Sequence, residues 1–322
     1  MLYPLAFQPR FKDRIWGGRR IESLFGKELP SGRLIGESWE ISDRPGDVSV
    51  VANGPLAGKD LRWLMENFQE ELMGSALSAG GRFPLLVKIL DAQEKLSLQV
   101  HPPSAAAANL GGEPKTEMWY VMDAVPDAEL YLGLKRGMTR REFERRIEDT
   151  SVQECFHRIK VRRGDSVFLP SGRVHALGAG LVIFEVQQNS DTTYRVYDWD
   201  RLDTSGNARD LHISEALASI DFDDIEPQVL RAESLMATGG SRDLVSHPVF
   251  QVSEELWNQG CHLAGTAGRP TVIGMVSGAA TLEGNGVSLE LAPGGFALLP
   301  ACLSKFTLSC ASPARLIRAT PG

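Results

Sequence analysis

Four side chains bring together the donor types of a divalent-metal site: the amide of Gln99, the imidazoles of His101 and His175, and the carboxylate of Glu117. Gln99 and His101 lie in a run where Leu96, Leu98 and Val100 alternate with Ser97, Gln99 and His101. A strand has a side-chain period of two, so the aliphatic residues take one face and the hydroxyl, amide and imidazole take the other. Two such side chains, about 6–7 Å apart at Cα, can reach one ion. Pro102 and Pro103 then end the strand. By the same arithmetic Lys115, Glu117 and Trp119 share a face. Glu117 offers an anionic oxygen of the kind Zn²⁺ or another borderline ion accepts. Beside an ion, Lys115 becomes a candidate for proton transfer or phosphate contact, because burial and the ion's charge lower a lysine pKa. His175 follows a Pro170-Ser171-Gly172 turn and precedes the small residues from Ala176 to Gly180, a setting that suits a cavity wall. Arg195, with Tyr194 and Tyr197 beside it, suits bidentate recognition of phosphate or a polarised hydroxyl. Singly, each residue fits a solvated strand or a satisfied core position as well. No Gly-rich phosphate loop and no serine nucleophile elbow occurs.

Short strands separated by Gly, Pro, Asp and Asn must carry these groups: 48–52, 85–90, 96–101, 117–122, 166–169 and 181–187. The fold class this predicts is mainly β, a sandwich or barrel with few helices. Asp60 caps a predicted helix to Leu72, the capping box Thr139–Glu142 opens one to about Glu148, and a third spans 214–220. The segment 199–210 reads as a polar loop. Gly164–Pro170 and Gly294–Pro300 share a turn-strand-Pro rhythm, but only the first is followed by a histidine five residues on. That echo predicts two related barrels, the second without metal ligands: residues 1–235 as the metal-binding domain with helical insertions, and 236–322 as its degenerate partner.

A chain of 322 residues suffices for both. The net charge of -7 argues against nucleic acid as a partner, while a small anionic substrate is compatible with local lysines and arginines. No signal segment and no transmembrane-length apolar run is present. Four scattered cysteines without a C-x-x-C pair read as reduced thiols, which predicts a cytoplasmic protein, monomer or homodimer, with no membrane association.

In this order, Arg14–Gly18, Ile35–Ser42, Phe83–Lys88, Gln99–Pro102, Lys115–Trp119 and Pro170–Ala176 resemble segments of the type I mannose-6-phosphate isomerase (phosphomannose isomerase) family in its short bacterial form, over nearly the whole chain. The resemblance implies two cupin (jelly-roll) barrels and one Zn²⁺ per chain held by Gln99, His101, Glu117 and His175. It implies interconversion of D-mannose 6-phosphate and D-fructose 6-phosphate through a cis-enediol, with Arg195 and Lys115 catalytic and Lys88, Ser97, Trp16 and Glu37 lining the sugar-phosphate site. A metal-bound water, Lys115 and Glu37 all stand as candidate bases, and Lys88 or another basic rim residue as the phosphate contact. Two departures stand out: Pro103-Ser104 replaces an acidic pair, and the long helical domain of larger members is absent. The rival readings are a non-catalytic sugar-phosphate-binding bicupin and an iron-dependent cupin dioxygenase.

Overall fold

In a computed structural model, residues 1–76, 80–202, 206–232 and 240–322 are described. Two sheets form the first barrel. One runs in the spatial order Arg10–Gly18, Ile35–Ile41, Leu85–Ala92, Leu181–Gln188, Glu117–Ala124, Ser166–Leu169. The other runs Tyr194–Tyr197, Leu98–Val100, His175–Leu177, Glu129–Leu134, Phe156–Lys160. The second barrel has one sheet ordered Gly240–His247, Phe250–Trp257, Ala314–Pro321, Thr271–Ser277, Phe296–Leu299, and another ordered Gly260–Ala264, Phe306–Cys310, Ala280–Gly284, Val287–Leu291. Once the edge strands Arg10–Gly18 and Tyr194–Tyr197 are set aside, the two barrels connect their strands in the same order, strand for strand. Every named pairing is antiparallel. The repeated strands Ser166–Leu169 and Phe296–Leu299 occupy equivalent sheet edges, which gives the sequence echo a topological basis.

The same correspondence shows which residues of the second barrel stand opposite the candidate donors of the first. Glu117 pairs with Leu169, and its counterpart Thr271 pairs with Leu299. His175 pairs with Gln99, and Phe306 with Ala264. A buried phenyl ring and a methyl group thus stand where the first barrel has an imidazole and an amide.

All of Leu85–Ala92 is buried. Its alternate residues go opposite ways: Leu85, Val87 and Ile89 join a core shared with Val252, Val272, Ile317 and Ala319 of the second barrel, whereas Leu90 packs inside the first barrel. A strand covered on both faces reads as a nearly unbroken apolar run, which makes Lys88 within it conspicuous. The expected domain boundary, 235/236, lies outside the described residues.

Asp60 and Thr139 cap as expected, accepting from Trp63 N and Glu142 N. The helix from Asp60 breaks at Phe68 into Leu61–Asn67 and Gln69–Met73. The third helix spans Ile213–Ser219. The 48–52 stretch forms only isolated bridges, Val50 to Asp60 and Val51 to Phe7, and the 96–101 strand shortens to Leu98–Val100. Among the described residues no helix is long and apolar enough to cross a membrane. All four cysteines are free.

Candidate metal centre and substrate cavity

Two rows of side chains face each other inside the first barrel. On the smaller sheet Arg195, Gln99 and His175 are in register across three strands. On the larger sheet Trp39, Lys88, Glu185 and Trp119 are in register across four. Glu117, two residues before Trp119, shares its face.

His101, Glu117 and His175 converge until their ligand atoms lie within 4.8 Å of one another, all buried. His175 Nε2 is 3.2 Å from Glu117 Oε1, and His101 Nε2 is 3.4 Å from Glu117 Oε2. Each ring's Nδ1 faces a backbone carbonyl, Thr192 O at 2.8 Å for His101 and Arg173 O at 2.9 Å for His175. A neutral imidazole that donates from Nδ1 presents its Nε2 lone pair, the usual arrangement of a ligand oriented by its own hydrogen bond. Burial, then the charge of Lys115, pushes the pKa of His101 down to about 3, which keeps it neutral. Burial opposes ionisation of Glu117, but Lys115 and His101 outweigh it and hold the carboxyl well below its usual range. Neither oxygen of that buried carboxylate accepts a hydrogen bond. Oε2 faces the Lys115 ammonium, but Oε1 is a buried acceptor without a donor and leaves room for a further cation, and two imidazoles with one carboxylate are donors that Zn²⁺ accepts. Gln99 Nε2 lies 3.4 Å from His175 Nε2, so its amide borders the same space. Lys115 Nζ is 2.7 Å from Glu117 Oε2 and 3.1 Å from His101 Nε2.

A cavity of about 480 Å³ lies over this cluster, and Gln99, Lys115, Lys88, Ser97, Trp16, Glu37 and Arg195 all line it. His101, Glu117 and His175 sit behind that lining, reached through Gln99 and Lys115. Lys88 is clamped between Glu37 at 3.5 Å and Glu185 at 3.4 Å, and these carboxylates hold its pKa up against burial. Glu37 also receives Arg14 Nε at 2.6 Å and Trp39 Nε1 at 2.7 Å. Although burial opposes it, Lys88 and Arg14 bring its pKa down to about 2. So acidic a carboxyl is poorly matched to removing a proton from carbon.

That depression is also a statement about stability. A buried carboxyl moved from 4.5 to about 2 contributes roughly 3 kcal/mol above its ordinary pKa, lost as pH falls through about 2. The raised pKa values of Glu40, Asp43 and Asp91, each caused first by burial, act with the opposite sign. The difference between the parent and Glu37→Gln in urea midpoint should therefore be widest at neutral pH and shrink below pH 4.5. A pH-independent difference would remove the linkage.

Sequence reading missed Glu185. It is buried, lines the cavity, accepts from Trp119 Nε1 at 2.8 Å, and keeps Oε2 without a hydrogen bond. Burial, then the charge of Glu117, raises its pKa. Its signal was a lone carboxylate inside the apolar strand Leu181–Gln188.

A family model described as phosphomannose isomerase type I, catalytic domain, matches residues 5–135. A probable mannose-6-phosphate isomerase of Bacillus subtilis is 38% identical over 311 residues, 96% of each chain. The chain belongs to the type I phosphomannose isomerase family. Another B. subtilis relative, a mannose-6-phosphate isomerase, is 44% identical over 224 residues, 69% of each chain. The solved mannose 6-phosphate isomerase of B. subtilis superposes with a TM-score of 0.89 at 33% identity, covering 99% of both chains. A putative mannosephosphate isomerase from Archaeoglobus fulgidus shares the fold at 23% identity and a TM-score of 0.78. The catalytic-domain match ends before His175, Glu185 and Arg195, whereas the B. subtilis relative is matched over 96% of this phosphomannose isomerase chain.

Proposed function

We propose that this chain is a mannose-6-phosphate isomerase that interconverts D-mannose 6-phosphate and D-fructose 6-phosphate in the cavity of its first barrel. The observation that carries the reading is the buried His101–Glu117–His175 cluster, whose carboxylate meets the Lys115 ammonium at Oε2 and has no hydrogen-bond donor at Oε1, beneath a polar cavity in a chain of this family. In this proposal the three residues hold one Zn²⁺, with Gln99 as the fourth and weakest donor. When bound, the ion supplies Lewis-acid stabilisation of charge developing on the sugar oxygens. The protein's own groups do the rest. Arg195 faces that charge from the row beside Gln99. Lys115 carries the proton between C2 and C1 on the enediol path, and Glu185, with its raised pKa, is the second group able to do so. Trp16, Ser97, Lys88 and Glu37 shape the sugar site and limit proton loss to solvent.

Residues 1–235 form the catalytic unit in this reading, and 236–322 the unit without ligands. One chain supplies every residue of the site, so the proposal is complete in a monomer. The free thiols suit a cytoplasmic setting. Two histidines and a carboxylate also suit non-haem iron, but a dioxygenase has no use for Lys115, Lys88 and Arg195 around the ion. A bare binding protein needs no proton carrier there. The experiment is metal content alongside mannose 6-phosphate conversion, and exchange of the C2 proton with solvent, before and after chelation. Chelation should abolish conversion and exchange together, and Zn²⁺ should restore both. Sugar-phosphate binding without exchange in the metal-loaded protein would establish the binding-protein reading instead.

A further inference from the structure

The second barrel keeps an opening where the first has its substrate cavity. The row Trp39, Lys88, Glu185, Trp119 has its in-register counterpart in Asp243, Ser253, Arg318, Ile273. Thr271 holds the place of Glu117. Counting on from Ala264, the counterpart of Gln99, Thr266 falls at the place of His101. Asp243, Ser253, Arg318, Thr266 and Thr271 all line a cavity of about 450 Å³, close to the 480 Å³ of the first. Small-molecule pockets run from about 300 to 1,000 Å³.

The chemistry of this second cavity is different. Hydroxyl groups replace the imidazole and carboxylate of the first, and no lysine or histidine lines it. Among the described residues the cluster of candidate metal ligands is confined to the first barrel. The charged lining is Arg269, Arg318 and Asp243, two cations against one carboxylate. Arg318 Nε and Nη2 lie 2.7 and 3.4 Å from the two oxygens of Glu255, so Nη1 is left uncommitted. Trp257 Nε1 donates to Glu255 Oε2 at 2.8 Å and so fixes that pair. Arg269 has no carboxylate partner among the described residues; one long contact from Nη1 to Pro321 O, at 3.4 Å, is all that holds its guanidinium. Its loop is nevertheless anchored. Arg269 N donates to Thr266 O at 3.1 Å, and Thr266 Oγ1 lies 2.9 Å from Ala301 O and 3.1 Å from Leu303 O. Asp243 makes no side-chain hydrogen bond or ion pair among the described residues. Guanidinium N–H groups without acceptors suit a phosphate, which takes them as charge-assisted bonds. A free carboxylate beside hydroxyl groups suits the hydroxyls of a sugar or polyol. Two arginines oppose a metal cation.

We infer that the second barrel's cavity is a non-catalytic binding site for a phosphate monoester that carries hydroxyl groups, a polyol or sugar phosphate, with Arg269 and Arg318 on the phosphate and Asp243 on a hydroxyl. The site stands apart from the isomerase reading, since it shares no residue with the first cavity. Glucitol 6-phosphate has no carbonyl to isomerise, so calorimetric titration of it into the metal-loaded protein reads binding without turnover. The parent should show a site that Arg269→Gln weakens about tenfold or more, with mannose 6-phosphate turnover and metal content within about twofold of the parent. Arg269→Lys should recover part of the loss. Asp243→Asn should weaken glucitol 6-phosphate but not inorganic phosphate, because only the polyol has hydroxyls to offer. Gluconate, with similar hydroxyls on a carboxylate, should bind this site more weakly than glucitol 6-phosphate. Glucitol 6-phosphate affinity within about twofold of the parent at every site of Arg269→Gln would overturn the assignment, and gluconate binding as tightly at the Arg269-sensitive site would overturn the choice of a phosphate. An Arg269-sensitive site in a chain that does not isomerise mannose 6-phosphate would uphold it.

Discussion

Glu117→Gln is expected to strip the protein of metal and of isomerase activity while leaving its fold in place. The amide keeps the shape of the carboxylate but not its charge, and that charge is what sets the two imidazoles and Lys115 Nζ around one point. Losing an outer partner of a metal ligand typically costs about 10–100-fold in affinity or activity, so losing the anionic ligand itself should cost more. The substitution also leaves the buried Lys115 ammonium without its counter-ion, so some loss of thermal stability should accompany it. His175→Ala should show the same loss of metal without the unpaired ammonium, which separates the two consequences. Elemental analysis, mannose 6-phosphate turnover and circular dichroism on the same preparations decide the matter. A Glu117→Gln protein with parental metal stoichiometry and turnover would remove Glu117 from the ligand set.

The shared faces of the candidate donors were legible because a strand's period of two is a strong local rule. Gln99 with His101, and Lys115 with Glu117 and Trp119, follow from spacing alone. Their convergence was not local: Gln99 meets His175 only because strands 76 residues apart in sequence lie side by side. Family resemblance supplied that step, and the echo at Gly294–Pro300 supplied the second barrel. Glu185 was passed over because its strand reads as buried core, in which a single carboxylate carries no periodic signal. Arg209 lies in a segment that reads as an ordinary polar loop, and its pairing with Asp198, eleven residues away, leaves no periodic trace in the sequence. Val48–Ala52 had strand composition, yet the partners available there are a single residue on each side. A strand needs a neighbour's length of backbone as well as its own sequence.

Glu254→Ala should be among the most destabilising single changes in the chain, although the residue is far from the cavity in sequence and belongs to the other barrel. Its carboxylate is fully buried. It accepts from Tyr120 Oη at 2.7 Å, Arg315 Nη1 at 2.7 Å and Arg242 Nε at 2.6 Å. Tyr120 lies on the strand that begins at Glu117, and Arg242 also donates to Gly164 O and Arg231 O, so one anion ties both barrels together. Removing it leaves two guanidinium groups and a phenol facing each other without a counter-ion. Breaking a buried pair in this way costs about 3–5 kcal/mol, and for a chain longer than 250 residues each kcal/mol lowers Tm by roughly 2–4 °C or less. At about 2.1 cal/mol/K of unfolding entropy per residue, a chain of 322 residues loses roughly 1.5 °C per kcal/mol, so a fall of about 4–8 °C is expected, against a smaller fall for Glu254→Gln, which keeps a hydrogen-bond acceptor. The shared apolar core makes a further demand: Val87 and Ile89 of the first barrel pack in one cluster with Val272 and Ile317 of the second. Loss of the anion should then shift a single cooperative transition, and metal release should coincide with it in a thermal scan. A Glu254→Ala protein that melts within about 1 °C of the parent, or in two separated steps with metal retained through the first, would mean that the barrels do not depend on this contact.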